Sequence, residues 1–117
     1  MTHHWPIRVY YEDTDLAGIV YYANYLKFIE RARSEMVRGL GIDQAALKRD
    51  HDIVFAVRRV EADYRAPAKF DDELVVETKL VRASPVRLEL AQDILRDGAV
   101  IFAAQVTLVT INFAGKV

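Results

Sequence analysis

The chain has 117 residues, 16 basic against 17 acidic side chains and a formal net charge of −1. That length bounds one domain over residues 1–117 with a modest core, and the near-neutral balance offers no polyanion-binding face, so no nucleic-acid partner is expected. The absence of cysteine excludes thiol nucleophiles, thiolate metal sites and disulfides together.

Residues 1–10 contain no apolar stretch of signal-peptide length, and no apolar run approaches a membrane span. A soluble, cytoplasmic protein is the expectation. Residues 7–12 alternate loosely and predict a short strand that leads into an acidic turn. Glu12, Asp13 and Asp15 then place three carboxylates within four positions, followed by Gly18 and the aromatics Tyr21, Tyr22 and Tyr25. Residues 23–40 predict a long helix, with Asn24 as N-cap and Gly39 and Gly41 as its stop. Lys27, Glu30, Arg31, Ser34, Glu35 and Arg38 form its polar face, and Leu26, Ile29, Ala32, Met36, Val37 and Leu40 its apolar stripe. A short second helix is expected over residues 43–49.

After Asp52 the period changes from 3.6 to 2. Val60, Ala62 and Tyr64 alternate with charged neighbours, as do Leu74, Val76, Thr78 and Leu80, and then Val86, Leu88, Leu90 and Gln92. Asp97-Gly98 is a tight-hairpin signal, Ser84-Pro85 marks another turn, and residues 100–113 predict the last strand. Strands of about a dozen residues, roughly 40 Å long and joined by short turns, imply an antiparallel sheet. One long helix against it gives an α+β architecture. The last strand is apolar on both faces: Val100, Phe102, Val106 and Leu108 on one, Ile101, Ala103, Val109 and Ile111 on the other. One helix cannot cover both, so a homo-oligomer, a dimer of dimers, is expected.

The acidic turn beside a helix start pairs a carboxylate with free backbone N–H groups, an arrangement suited to attack on a carbonyl. Read from the residues alone, Asp15 either caps the turn or does this chemistry. The stretch Tyr11-Glu12-Asp13-Thr14-Asp15-Leu16-Ala17-Gly18-Ile19-Val20-Tyr21-Tyr22 resembles the signature of the 4-hydroxybenzoyl-CoA thioesterase family of hotdog proteins. Its continuation, Asn24-Tyr25-Leu26, Phe28, Glu30-Arg31-Ala32-Arg33 and Glu35-Met36, is similar to the Tol-Pal-associated acyl-CoA thioesterase branch. Asp63-Tyr64-Arg65-Ala66-Pro67-Ala68 and Asp71-Asp72-Glu73-Leu74 fall where that family has its tyrosine-proline and acidic-turn segments. The resemblance implies a hotdog fold, an acyl-CoA substrate, no cofactor and an active site between subunits. It also implies Asp15 as the catalytic carboxylate and the backbone N–H of Tyr22 as oxyanion donor. The Tol-Pal branch often carries histidine where this chain has Tyr22. The 4-hydroxybenzoyl type has tyrosine there, and the backbone role is common to both.

Gly18, Val20, Tyr21 and Tyr25 are the expected acyl contacts, although aromatics at a helix start are equally ordinary core. Arg58, Arg59 and Arg87 are the candidates for the coenzyme phosphates, with Arg65 and Lys69 as further basic residues on strands and turns. Arg33, on the apolar side of the helix, reads as a snorkelling or interface cation. Glu12 and Asp13 read as turn residues, and no metal site is expected. His3, His4 and His51 lack further ligands, and the three acids lack a loop of oxygen donors. An acyl-thioester hydratase is disfavoured because no histidine lies between His4 and His51. The rival from another class is a non-catalytic module that holds acyl-CoA or docks a partner.

Overall fold

The computed structural model describes residues 2–112. Five strands form one antiparallel sheet: β1 (Thr2–Arg8), β2 (Val54–Tyr64), β3 (Glu73–Ala83), β4 (Arg87–Arg96) and β5 (Ala99–Ile111). Their spatial order is β1-β3-β4-β5-β2. Between β1 and β2 run a 3-10 turn (Tyr11–Asp13), the long helix α1 (Asn24–Gly39) and the short helix α2 (Gln44–His51). The sheet wraps α1, which is the hotdog arrangement.

Period-2 alternation sets which side chains meet the helix. The cross-strand rows Val76–Ile94–Phe102–Tyr64, Thr78–Gln92–Ala104–Ala62 and Leu80–Leu90–Val106–Val60 run across β3, β4, β5 and β2. Phe28, Ile29, Ala32, Met36 and Val37 of α1 form one buried cluster with Leu74, Val76, Leu90, Ile94, Phe102 and Val106. The Asp97-Gly98 hairpin is the two-residue turn that the sequence predicts. Both residues have positive φ, 52° and 80°, which matches the twist of the strands they join.

Several boundaries and faces differ from expectation. The first strand is Thr2–Arg8 rather than residues 7–12, because the Asp13 carboxylate captures the Tyr10 N–H at 2.8 Å and curls residues 11–13 into a 3-10 turn. Asn24 is not the N-cap: it lies inside the first turn of α1, and Ala23 precedes it. Leu26 and Leu40 leave the expected stripe and are 40% and 54% exposed, while Tyr25 and Phe28 take their places in the core. Ile101 and Val109, assigned to the uncovered face of the last strand, are 3% and 6% exposed within the single protomer. The chain itself therefore covers much of that row. Phe113 lies outside the described residues.

On the outer face of the sheet Asp93 stands directly opposite Glu77. Burial and the Glu77 charge push its carboxyl above the ordinary range, against smaller opposing effects of Arg65 and Lys79. The folded state thus holds this proton more tightly than the unfolded chain. The resulting stability is present below the unfolded value of about 3.9 and is lost as pH rises through the folded value. Asp93→Asn should therefore raise Tm at neutral pH, with the gain vanishing below pH ~3 in thermal scans.

Candidate active site

Asp15 sits at the mouth of a tight hairpin. Its N–H donates to the Ile19 carbonyl at 2.9 Å, and its carbonyl accepts the Gly18 N–H at 3.0 Å. Gly18 closes this turn at φ +80°, and an added Cβ there would meet nothing within 4 Å, so conformation rather than space demands the glycine. Asp15 Oδ1 accepts the Ala17 N–H at 2.9 Å. Oδ2 has no partner among the described residues. The carboxylate is exposed, with one oxygen anchored and the other open.

The hairpin returns the chain to Asp13, which organises the helix start. The Asp13 carbonyl accepts the Tyr21 N–H at 3.0 Å and the Asn24 side-chain amide at 2.9 Å. Asp13 is buried, at 8% exposure, and its carboxylate closes the 3-10 turn, so it serves as a turn residue. A bridge between Thr14 and Val20 and a second between Ile19 and Lys69 fix the hairpin between β1 and the segment that precedes β3. Asp15 is thereby held two residues from the carbonyl that ties down the first turn of α1. The Tyr22 N–H finds no acceptor among the described residues, as expected for a donor just ahead of a helix.

Aromatic rings back this corner. Tyr22 packs against Tyr21 at 5.0 Å and Tyr64 at 6.3 Å. Tyr64 in turn meets Tyr25 at 5.4 Å and Phe102 at 5.0 Å. The Tyr64 hydroxyl donates to the Tyr22 carbonyl at 3.0 Å. Burial lifts the Tyr64 phenol above its ordinary value, helped by Tyr22 and Tyr25, and so keeps it a donor. Folding brings Tyr64 to this corner, although its sequence reads as one more strand position; its place in the tyrosine-proline segment is the available signal. Tyr21 and Tyr22 are exposed, whereas Tyr25 is buried with its hydroxyl accepting the Ala68 N–H at 3.0 Å. Val20 points into the core at 3% exposure.

The basic candidates separate. Lys69 adjoins the hairpin through its bridge to Ile19. Arg58 occupies a bulge in β2, between Val57 and Arg59, and Arg59 pairs with Glu61 on its own strand. Arg87 is paired in register with Val109, seven residues along β5 from Phe102, which stands opposite Tyr64. That offset is roughly 23 Å at ~3.3 Å per residue. Within one protomer Arg87 is therefore not brought to Asp15. No helix among the described residues is long and apolar enough to cross a membrane.

The chain matches the model of the family described as Thioesterase superfamily over residues 17–103, from inside the Asp15 hairpin to β5. It is 39% identical to the acyl-CoA thioester hydrolase YbgC of Escherichia coli O6:H1, over 92% of this chain and 81% of that protein. It is 38% identical to the acyl-CoA thioesterase YbgC of Haemophilus influenzae, over 92% and 79% respectively. The crystal structure of a probable thioesterase from Bartonella henselae superposes with a TM-score of 0.94 at 35% identity, covering 99% of this chain and 96% of that one. With the fold and the similarity agreeing across nearly its whole length, this chain belongs to the thioesterase superfamily and has a hotdog fold.

Proposed function

We propose that this chain, an acyl-CoA thioester hydrolase like its relatives, cleaves its substrate to a free acid and coenzyme A with Asp15 as the catalytic carboxylate. The observation that carries this reading is the divided Asp15 carboxylate, one oxygen fixed by Ala17 and the other open, beside a helix start whose Tyr22 N–H likewise has no partner among the described residues. The open oxygen either attacks the thioester carbonyl, giving a mixed anhydride that water resolves, or takes a proton from the attacking water. In both routes the C–S bond breaks, the thiolate leaves and is protonated, and the carbonyl oxygen carries the developing charge. The Tyr22 N–H supplies a dipole for that charge. The test is thiol release from a panel of short, long and aromatic acyl-CoAs, with the free acid identified by mass. Equimolar thiol and acid support hydrolysis. Tight binding without turnover supports a carrier module instead.

The site is completed in a homo-oligomer. Leu16, at the hairpin tip, is fully exposed, and Val57, Val60 and Tyr64 along the edge strand β2 are exposed apolar residues. The segment Arg58-Arg59-Val60-Glu61-Ala62-Asp63 is charge-complementary to itself about Val60. Antiparallel pairing of two such edges sets Arg59 opposite Glu61 of the second copy and Ala56 beside its Tyr64. Arg58 and Arg59 are thereby carried toward the other copy's aromatic corner, where coenzyme phosphates need cations. Light scattering at micromolar concentration should report a dimer or a dimer of dimers, and Arg59→Glu should shift it toward monomer. A monodisperse wild-type monomer would remove this assembly.

A further inference from the structure

A cavity of about 210 Å³ opens between the C-terminal half of α1, the start of α2 and the ends of β2, β4 and β5. Leu88, Leu90 and Leu108 of the sheet, Val37 of α1 and Phe55 of β2 give it an apolar lining. Neither Asp15 nor Tyr22 borders it. Among the described residues its one cation is Arg33.

Arg33 is held there by a built network. Gln92 is fully buried, and its amide nitrogen donates to the Ile29 carbonyl and the Thr78 hydroxyl, both at 3.0 Å. Those two acceptors orient the amide, so its oxygen is left to accept the Arg33 Nη1–H at 3.0 Å. A guanidinium carries five N–H donors, and Gln92 is the acceptor this one is given. Arg33 forms no ion pair with a carboxylate among the described residues. Glu30, on the rim, accepts from the Ser34 hydroxyl at 3.2 Å. Burial lowers the Arg33 pKa and the Glu30 charge partly restores it, yet a guanidinium stays charged throughout the physiological range. A half-buried cation beside an apolar cavity, without a counter-anion in contact among the described residues, is more costly than one in water and is relieved when an anion completes it.

We propose that this cavity binds a small amphipathic carboxylate, with an apolar body of about six to eight carbons among the leucines and its carboxylate paired to Arg33. A dry cavity of ~150 Å³ already accepts benzene, so the space here suits a body of that size with a polar end. Arg33 presents the planar fork that a carboxylate matches. The proposal is independent of the role of Asp15, because it concerns binding and not turnover.

The test titrates octanoate, and octanamide as its uncharged isostere, into the full chain by calorimetry, with methyl NMR on the leucines. Octanoate should bind about tenfold or more tightly than octanamide, shifting the Leu88 and Leu90 methyls and leaving the Asp15 hairpin unmoved. Arg33→Met should abolish that preference while retaining octanamide binding. Glu30→Gln, an exposed change that leaves the network intact, should tighten octanoate by removing a like charge from the rim. Equal affinity for the two ligands, no binding of either, or shifts confined to the Asp15 hairpin would each overturn the proposal. An unchanged octanoate affinity in Glu30→Gln would do the same, even if Arg33→Met failed to fold.

Discussion

Phe102→Ala should destabilise the fold by about 3–5 kcal/mol, out of a total of roughly 5–15 for a domain of this kind. Phe102 is fully buried near the start of β5, where its row runs from Val76 through Ile94 to Tyr64. Its ring stacks on Tyr25 at 5.2 Å with an interplanar angle of 10° and meets Tyr64 edge-on at 5.0 Å. Truncation removes the apolar burial and two aromatic contacts, and leaves a hole that backbone on both sides cannot close. At ~4 °C per kcal/mol, Tm should fall by more than about 12 °C in a thermal scan. The loss should reach the active corner as well, because Tyr64 leans on Phe102 and holds the Tyr22 carbonyl. A shift of only a degree or two would mean that the aromatic corner is not the keystone of this end of the sheet.

The sheet was legible because period-2 alternation says which side chain faces which way without any distance information. Thr78 and Gln92 occupy the buried rows that their alternation implies, and Val60, Ala62 and Tyr64 carry those rows out to the exposed edge strand β2. The helix face was less legible. Leu26 and Leu40 are as apolar as Ile29, but α1 turns Tyr25 and Phe28 toward the sheet instead. Composition at helical spacing does not say which flank of a wide stripe meets the core. The first strand was misplaced because local capture of the Tyr10 N–H by Asp13 beats the loose alternation around it. In the site, a motif in one contiguous stretch placed Asp15, Gly18 and Tyr22 together. Tyr64 was missed because it comes from a strand 42 residues further on and joins Tyr22 only through folding. The spread of Arg58, Arg59 and Arg87 has the same origin, since sequence shows charge but not the strand offset that separates it from Asp15.

Asp15→Asn separates catalysis from folding in this hairpin. The turn uses one side-chain oxygen of Asp15 as acceptor for the Ala17 N–H, and the asparagine carbonyl can fill that place at 2.9 Å. The open oxygen becomes an amide nitrogen, which neither attacks a thioester nor takes a proton from water. Fold and assembly should therefore persist while kcat falls by at least about 10²-fold, the low end for a lost general base. KM should change far less, because binding draws on the aromatic corner and the coenzyme contacts. Asp13→Asn should spare kcat in comparison and appear in stability, since the Asp13 carboxylate closes the 3-10 turn. The direct measurement is acyl-CoA thiol release by Asp15→Asn and wild-type protein of matched Tm and oligomeric state. A loss of about a hundredfold or more in kcat with KM nearly preserved is the predicted result. A near-native kcat in the folded variant would contradict the assignment of Asp15 as the catalytic carboxylate.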